Sequence, residues 1–269
     1  MQKCIIRDMS TPTPIEQHVQ ALQGQINSLR RKLYPLHVKD ALAEKGMKAR
    51  MPIEFRAQFM EDMLLWDTLL NQTKGFYIEC GAFDGKSYSV SWVFDAMGWD
   101  GLCVEAIPER YAQCVANRPF ARVVHSALSA PGAPAEMEFT IVDDQYGGML
   151  SFIGEGGAHG AAMTGHGYGM RKVRVPCTTM NSLLKDHAGP IDFAVIDVEG
   201  HEIELLKGFD LARHAPRVLL LEDNDRGKDP ALGQYMATKP YIQATWIGHN
   251  RVYIHKTQKD LLAVLGIHV

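Results

Sequence analysis

The sequence is short of the features that would mark several protein classes. No two cysteines stand in a C-x-x-C pair, so neither a zinc ribbon nor a redox dithiol is indicated. The five cysteines (Cys4, Cys80, Cys103, Cys114, Cys177) are dispersed and odd in number. That pattern suits a reducing compartment, and a cytoplasmic location is expected. There is no apolar run of about 18 residues, so no membrane span is expected. The apolar stretch in MQKCIIRDMSTPTP is too short for a secretory signal. Charge excess is absent too. The net charge of −3 offers no bulk attraction for nucleic acid or an anionic membrane. There is no internal repeat and no G-x-G-x-x-G, so the usual pyrophosphate-gripping turn is missing.

What is present fits one large domain, or one domain with an appendage, in 269 residues. The charge is unevenly spread. Residues 1–60 carry ten Lys/Arg against five Asp/Glu, a balance of +5 that leaves −8 for the remainder. A solvated basic helix explains this more simply than a docking surface for an acidic partner. Ile15, Val19, Leu22, Ile26, Leu29, Leu33 and Leu36 follow one another at steps of 4, 3, 4, 3, 4 and 3. This is a heptad stripe on one helix face over 15–36, with Ser10 to Thr13 as capping residues and Pro35 ending or kinking the helix. Two readings stand side by side: an amphipathic helix packed on its own domain, or a homo-oligomer contact. Residues 1–53 are accordingly read as a helical extension and 54–269 as the main domain.

From residue 54 a helical stretch runs to 71, and then the period changes. Strands are expected at FYIEC (76–80), GLCVEA (101–106), ARVVHSAL (121–128), MEFTIV (137–142), KVRVPC (172–177), IDFAVIDV (191–198) and RVLLLEDN (217–224). Helices are expected at 87–98, 108–118, 178–187 and 201–209 between them. YIQATWIG and RVYIHK, joined by His249-Asn250, read as a closing hairpin. Strands alternating with helices predict an α/β fold, a mainly parallel sheet with an antiparallel edge.

Ligands of such sheets sit past the carboxyl ends of the strands. The first strand runs into Glu79-x-Gly81-x-x-x-Gly85, with Asp84 inside the loop. Acids there would repel a pyrophosphate but suit a cofactor with a cationic end, such as the amino group and sulfonium of S-adenosylmethionine. The second strand ends in Glu105, twenty residues after Gly85, where a carboxylate can accept from two ribose hydroxyls. The third ends in Ser126-Ala127, where a small polar side chain could meet an adenine edge.

IECGAFDG, GWDGLCVEAIPE and IDFAVIDVEGHEIELLKGF resemble the FkbM-type methyltransferases. Gln58, Glu61 and Asp62 are similar to that family's SQ-x-GED lead-in, with Ala57 and Met60 as departures. The resemblance covers about 55–256. It implies a class I S-adenosylmethionine-dependent, Rossmann-like fold of seven strands with the last antiparallel, and methyl transfer to a hydroxyl of a sugar, glycan or natural product. It implies cofactor contacts from Gln58, Glu79, Gly81, Ala82, Phe83, Asp84, Gly85, Ser87, Glu105, Ala106, Ser126, Ala127 and Asp197. Phe83 stands where the family usually has Asn.

Methyl transfer to an alcohol needs help in removing the hydroxyl proton, from a metal or a general base. Asp197 ends one strand, and Glu222-Asp223-Asn224 ends its expected neighbour. Asp197, Asp223 and Asn224 are hard oxygen ligands suited to Mg²⁺, with Glu222 as a substitute. LLLEDN resembles the second metal-binding element of the catechol-type O-methyltransferases. His201, at an expected helix start, is a candidate base beside Asp197. The alternative for His201 is a loop hydrogen bond, and for Asp223-Asn224 a turn. The glycine-rich stretch 143–172, with Tyr146, His159, His166 and Tyr168, reads as a substrate lid. A nicotinamide-dependent oxidoreductase and a non-catalytic scaffold are the rival readings.

Overall fold

The computed structural model describes residues 13–69, 72–145 and 147–268. Cys4, the expected capping residues Ser10 and Thr11, and Tyr146 lie outside them. The chain opens with α1 (Pro14–Glu44) and α2 (Glu61–Leu69). The main sheet then begins with β1 (Phe76–Cys80), α3 (Trp92–Met97), β2 (Asp100–Glu105), α4 (Pro108–Asn117) and β3 (Arg122–His125). An inserted unit follows: β4 (Ala127–Leu128), β5 (Glu136–Asp143), β6 (Phe152–Ile153), α5 (Gly157–Gly165) and β7 (Gly169–Thr178). The main sheet resumes with α6 (Met180–Leu183), β8 (Phe193–Ile196), α7 (Glu202–Lys207) and β9 (Val218–Glu222). It closes with α8 (Ala231–Ala237), β10 (Tyr241–Ile247), β11 (Asn250–His255) and α9 (Lys259–Val264).

Seven strands form the main sheet in the order β10-β11-β9-β8-β1-β2-β3. The pairs β9–β8, β8–β1, β1–β2 and β2–β3 are parallel, and β11 is antiparallel to both its neighbours. This is the mainly parallel sheet with an antiparallel last strand that the sequence predicts. Its chain order reverses between β1 and β8, the switch point where α/β sheets bind ligands. Strand alternation supplies one core on each face. Tyr77, Phe193, Val195 and Leu220 join Phe94, Trp99 and Leu65 on one side. Ile78, Leu102, Ile196 and Leu221 join Met180, Leu205 and Met236 on the other.

Several boundaries differ from the sequence reading for local reasons. The helix expected over 87–98 starts only at Trp92, because the Glu79 carboxylate draws in the residues before it. That carboxylate accepts from the Ser89 hydroxyl (2.8 Å), the Val90 amide (2.8 Å) and the Ser91 hydroxyl (2.6 Å). The helix expected from 54 starts at Glu61, since the Asp62 carboxylate accepts from the Arg56 and Ala57 amides and keeps that lead-in extended. Pro35 does not end α1, which continues to Glu44. The backbone bond a proline removes is offset by packing of the next turns, where Val38 and Leu42 are buried. ARVVHSAL divides at Ser126, its first half in the main sheet and its second in the inserted one. The stretch 143–172 carries β6 and α5 rather than being structureless.

One buried cation ties the first half of the sheet together. Arg118, 1% exposed, follows α4 and reaches under the β1–α3 loop. It donates to the Gly85 carbonyl, the Ser89 hydroxyl and, at 3.1 Å, the Ser91 hydroxyl. Glu79 and Asp95 lie at 3.4 Å from its guanidinium, and the Trp92 ring at 5.3 Å. Removing one member of a buried ion network strands the others without solvent, at a cost of roughly 3–5 kcal/mol. Arg118→Met should therefore lower the unfolding free energy by that amount in a urea titration. Arg118→Lys should recover little of it, because an ammonium cannot serve this many acceptors. Wild-type stability in Arg118→Met would show that the network does not hold the loop.

Candidate active site

Past the carboxyl ends of β1, β2 and β8, and beneath the inserted unit, lies a cleft of about 700 Å³ including its open mouth. Its floor is Cys80, Gly81, Val104 and Glu105, one wall is Ser126 to Leu128, and the other is Asp197 to Glu199. The roof comes from Phe139, Gly148, Met149, Ser151 and Ile153 of the insertion. The roof tip is knitted by Asp144, whose carboxylate accepts from the Gly148 and Leu150 amides, both at 3.1 Å. Arg110 fastens it to α4 by donating to the Gly147 carbonyl at 2.8 Å, and its guanidinium lies 4.3 Å from the centre of the Phe83 ring in the cleft wall.

Gly81 answers why β1 must stop at a glycine. Its φ is +77°, and a Cβ there would sit 1.8 Å from the Asp197 carbonyl oxygen. Only a residue without a side chain lets the β1 and β8 ends close up at the switch point. Glu105 is 5% exposed. One carboxylate oxygen accepts from the Phe83 amide and the other from the Ile107 amide, each at 2.7 Å. Each oxygen retains lone-pair capacity toward the cleft. Burial pushes the Glu105 carboxyl up to about 7. The pocket thus holds a carboxylate with spare acceptor capacity, suited to a pair of hydroxyl donors.

Opposite stands a group of acids. Asp197, Glu199 and Glu222 each offer an oxygen within 4.8 Å of the others. Burial raises all three carboxyls, Glu199 to about 9, and Glu222 donates a hydrogen bond to Asp197. The loop that carries Asp197 and Glu199 is held by Glu202, which accepts from the Val198 and Gly200 amides at 3.2 and 3.1 Å. Glu199 itself has a φ of +53°, a conformation seldom adopted by a residue with a side chain and one found where function imposes it. Asn224 donates to Glu222 at 2.7 Å. The expected trio of Asp197, Asp223 and Asn224 is not the one brought together. Asp223 follows Glu222 on the opposite side of the strand end and pairs with Arg251, also accepting from the Gly227 amide at 3.1 Å. Glu199 takes its place; the sequence signal for it was an acid two residues past a strand-end aspartate.

The other expected residues divide. Gly81, Phe83, Glu105, Ala106, Ser126, Ala127 and Asp197 line the cleft. Glu79 does not: its carboxylate is taken up by Ser89, Val90, Ser91 and Arg118. Asp84 is turned onto its own loop, accepting from the Lys86 and Ser87 amides and the Ser87 hydroxyl. Gly85 faces Cys114 and Arg118, and Ala82 is buried in the core on the α3 side. Gln58 is exposed beside Ser87 and Tyr88, away from the cleft. The Ser126 hydroxyl donates to the Ala127 carbonyl at 2.6 Å, which leaves its lone pairs for a ligand donor. His201 meets the Ser129 hydroxyl at 3.1 Å, outside the cleft lining, and burial lowers its imidazole pKa. The roof residues Phe139 and Met149 were not anticipated, because only the tertiary position of the insertion brings them over the sheet.

Burial of carboxyls has a pH consequence. Glu61, Glu105 and Glu202 each titrate near 7 in the folded chain, well above the ordinary glutamate value. The folded state binds these protons more tightly than the unfolded chain, so their contribution to stability is lost as pH rises from about 4.5 through 7, and that of Glu199 goes on falling to about 9. Ligand-free protein should show a lower melting temperature at pH 8 than at pH 6. Glu105→Gln, which cannot ionise, should shrink that difference, and an unchanged difference would place the Glu105 titration elsewhere.

The Methyltransferase FkbM domain model matches residues 79–241. No curated protein matches the chain. Among solved structures, the METTL16 MTase domain is similar at 13% identity and TM-score 0.44, covering 76% of this chain and 69% of its own. A TehB-like SAM-dependent methyltransferase from Corynebacterium glutamicum is similar at 11% identity and TM-score 0.40, covering 82% of this chain and 99% of its own. An O-methyltransferase from Bacillus cereus in complex with SAH is similar at 12% identity and TM-score 0.39, covering 86% and 97%. Likeness at this level says nothing of substrate. The family match spans more than half of the sequence, and it includes the switch-point loop, the Glu105 strand end and the acids at the ends of β8 and β9: the chain belongs to the FkbM methyltransferase family.

Proposed function

We propose that the protein is an S-adenosylmethionine-dependent O-methyltransferase that methylates a hydroxyl of a small molecule or glycan, with help from a divalent cation such as Mg²⁺. The observation that carries this reading is that one cleft has Glu105 on one side and Asp197 and Glu199 on the other. Glu105 would hold the cofactor's ribose hydroxyls, with Gly81 and Phe83 along its backbone side and Ser126 toward the base. Bound there, the cofactor supplies an electrophilic methyl group on its sulfonium. Asp197, Glu199 and Glu222 would hold the cation, which lowers the pKa of a coordinated hydroxyl. The donor set supports this: three hard oxygens are gathered so closely that burial and mutual repulsion raise the pKa of each carboxyl, and a bound cation would relieve that repulsion.

Proton removal falls to the carboxylates in this reading. Asp197 lines the cleft, whereas His201 faces Ser129. The inserted unit acts as the lid, with Met149 of the stretch 143–172 and Phe139 of β5 excluding water from the reacting atoms. We keep residues 1–53 as an extension on a methyltransferase domain at 54–269. The free thiols of Cys80, Cys103 and Cys114, all buried, support a reducing cytoplasmic location.

Calorimetric titration with S-adenosylhomocysteine tests the cofactor half. Micromolar binding is expected, weakened about 100-fold in Glu105→Ala through loss of hydrogen bonds to a charged group. No binding, or binding of NAD instead, would overturn it. Mn²⁺ titration followed by electron paramagnetic resonance tests the cation half in the protein with S-adenosylhomocysteine present. Glu222→Gln should abolish Mn²⁺ binding and leave cofactor binding intact. Wild-type protein that leaves Mn²⁺ free in solution would remove the metal and assign the proton to the carboxylates alone.

A further inference from the structure

The heptad stripe of α1 is left uncovered by its own domain. Ile15, Val19, Leu22, Ile26, Leu29, Leu33 and Leu36 are between 44% and 77% exposed. They are seven of the twelve exposed large apolar side chains among the described residues, and they form one continuous strip while the other five are scattered. A contiguous strip of this kind marks an interaction surface. The helix does pack on the domain, but with another face. Arg31 donates to the Phe55 and Ala57 carbonyls, both at 2.7 Å, and the Tyr34 hydroxyl to Asp67 at 2.6 Å. Val38, Ala41 and Leu42 are buried. The inward face is therefore complete without any residue of the stripe.

We infer that the stripe is a dimerisation seam whose occupant is the same stripe of a second copy of this chain, in a parallel two-stranded coiled coil. Three observations choose this occupant. The period of 3.5 fits a partner helix of the same period, whereas a globular surface would be matched by a period of 3.6. Val19, Ile26 and Leu33 fall at position a and Ile15, Leu22, Leu29 and Leu36 at position d; two of the three a residues are β-branched and three of the four d residues are Leu, the pattern that favours two parallel strands. Across a parallel seam Gln25 meets Arg30 and Lys32 meets His37, so no lysine or arginine faces another.

The area suffices as well. The surface left on the seven side chains is roughly 700 Å² per copy, or roughly 1,400 Å² for a pair, which lies within the range of stable interfaces. Pro35 sits off the seam at position c, so it does not interrupt the contact. The seam lies on α1, and the cleft is built from β1, β2, β8 and the insertion, so pairing leaves both sites open.

Sedimentation equilibrium of the full chain at 1–100 µM decides the matter, with the monomer at 30.0 kDa. A dimer is expected, with self-association weakened at least ~100-fold in the double variant Leu22→Glu, Leu29→Glu, since both apolar contacts are lost on both copies. Both positions are exposed in the monomer, so the variant should melt as the wild-type monomer does and bind S-adenosylhomocysteine unchanged. Orientation is read separately. Under mild oxidation Ile26→Cys should link to itself, as seen by mass spectrometry of the joined peptide, and a Val19→Cys, Leu33→Cys double variant should not form a 19-to-33 link. A monomeric wild type overturns the inference, whatever else the stripe then meets. So does a dimer that survives the double variant, and a 19-to-33 link overturns the parallel arrangement.

Discussion

The guanidinium of Arg118, buried among Glu79, Asp95, Ser89 and Ser91, is the contact on which the first half of the molecule depends. It comes from the residue after α4 and acts on the loop after β1. Two elements separated by a whole strand and helix are thereby held at a fixed distance. Glu79 balances it from within the sheet and draws Ser89 and Ser91 toward the same point, which delays the start of α3 to Trp92. The loop between, 81–88, has no freedom left to wander. Its backbone therefore presents the Phe83 amide to Glu105 at hydrogen-bonding distance. A site carboxylate is aimed by an ion network that lies behind it and never touches the cleft.

The opposite wall is organised by repulsion. Asp197, Glu199 and Glu222 lie close enough that they cannot all be charged without a compensating cation. A fold that wanted only stability would not gather them, since each buried carboxyl costs more than an apolar side chain of similar size. Glu202 holds the loop of Asp197 and Glu199, and Arg251 takes Asp223 out of the group, so the number of acids facing the cleft is fixed by the fold. The left-handed backbone at Glu199 lies within the same arrangement.

Much of the fold was legible in the sequence. Most main-sheet strands were marked by a short apolar run followed by glycine, proline or acids, and the antiparallel edge by its hairpin, whose turn is Gly248-His249 rather than the expected His249-Asn250, since Asn250 already pairs with Ile247. The errors share a cause. The late start of α3, the passage of α1 through Pro35 and the division of ARVVHSAL at Ser126 are all decided by partners distant in sequence, which local propensity does not register. The site was legible in part for the same reason. Glu105 and Asp197 stand at strand ends and were found by position. Glu199 and the roof residues Phe139 and Met149 were not, since a loop's turn and an insertion's placement decide them. For the heptad stripe, sequence left two readings open, and the structure disfavours the first, because the inward packing falls to Arg31, Val38 and Leu42 instead.

Three glutamates near the carboxyl ends of β1, β2 and β9 show how partners separate side chains that residue type does not. Glu79, Glu105 and Glu222 are the same side chain, all buried, all at the carboxyl edge of the sheet. Glu79 is met by two hydroxyls, an amide and a guanidinium, all behind the β1–α3 loop, and it does not line the cleft. Glu105 is met by two amides, one for each oxygen, which fixes its plane and leaves each oxygen able to accept once more. Glu222 is met by an amide and by another carboxyl, so its partner is a proton that a cation can displace. The first is spent on the fold, the second stands in the cleft lining and the third is gathered with Asp197 and Glu199. The distinction rests on where each carboxylate is turned by its partners, and those include side chains as far off in sequence as Arg118.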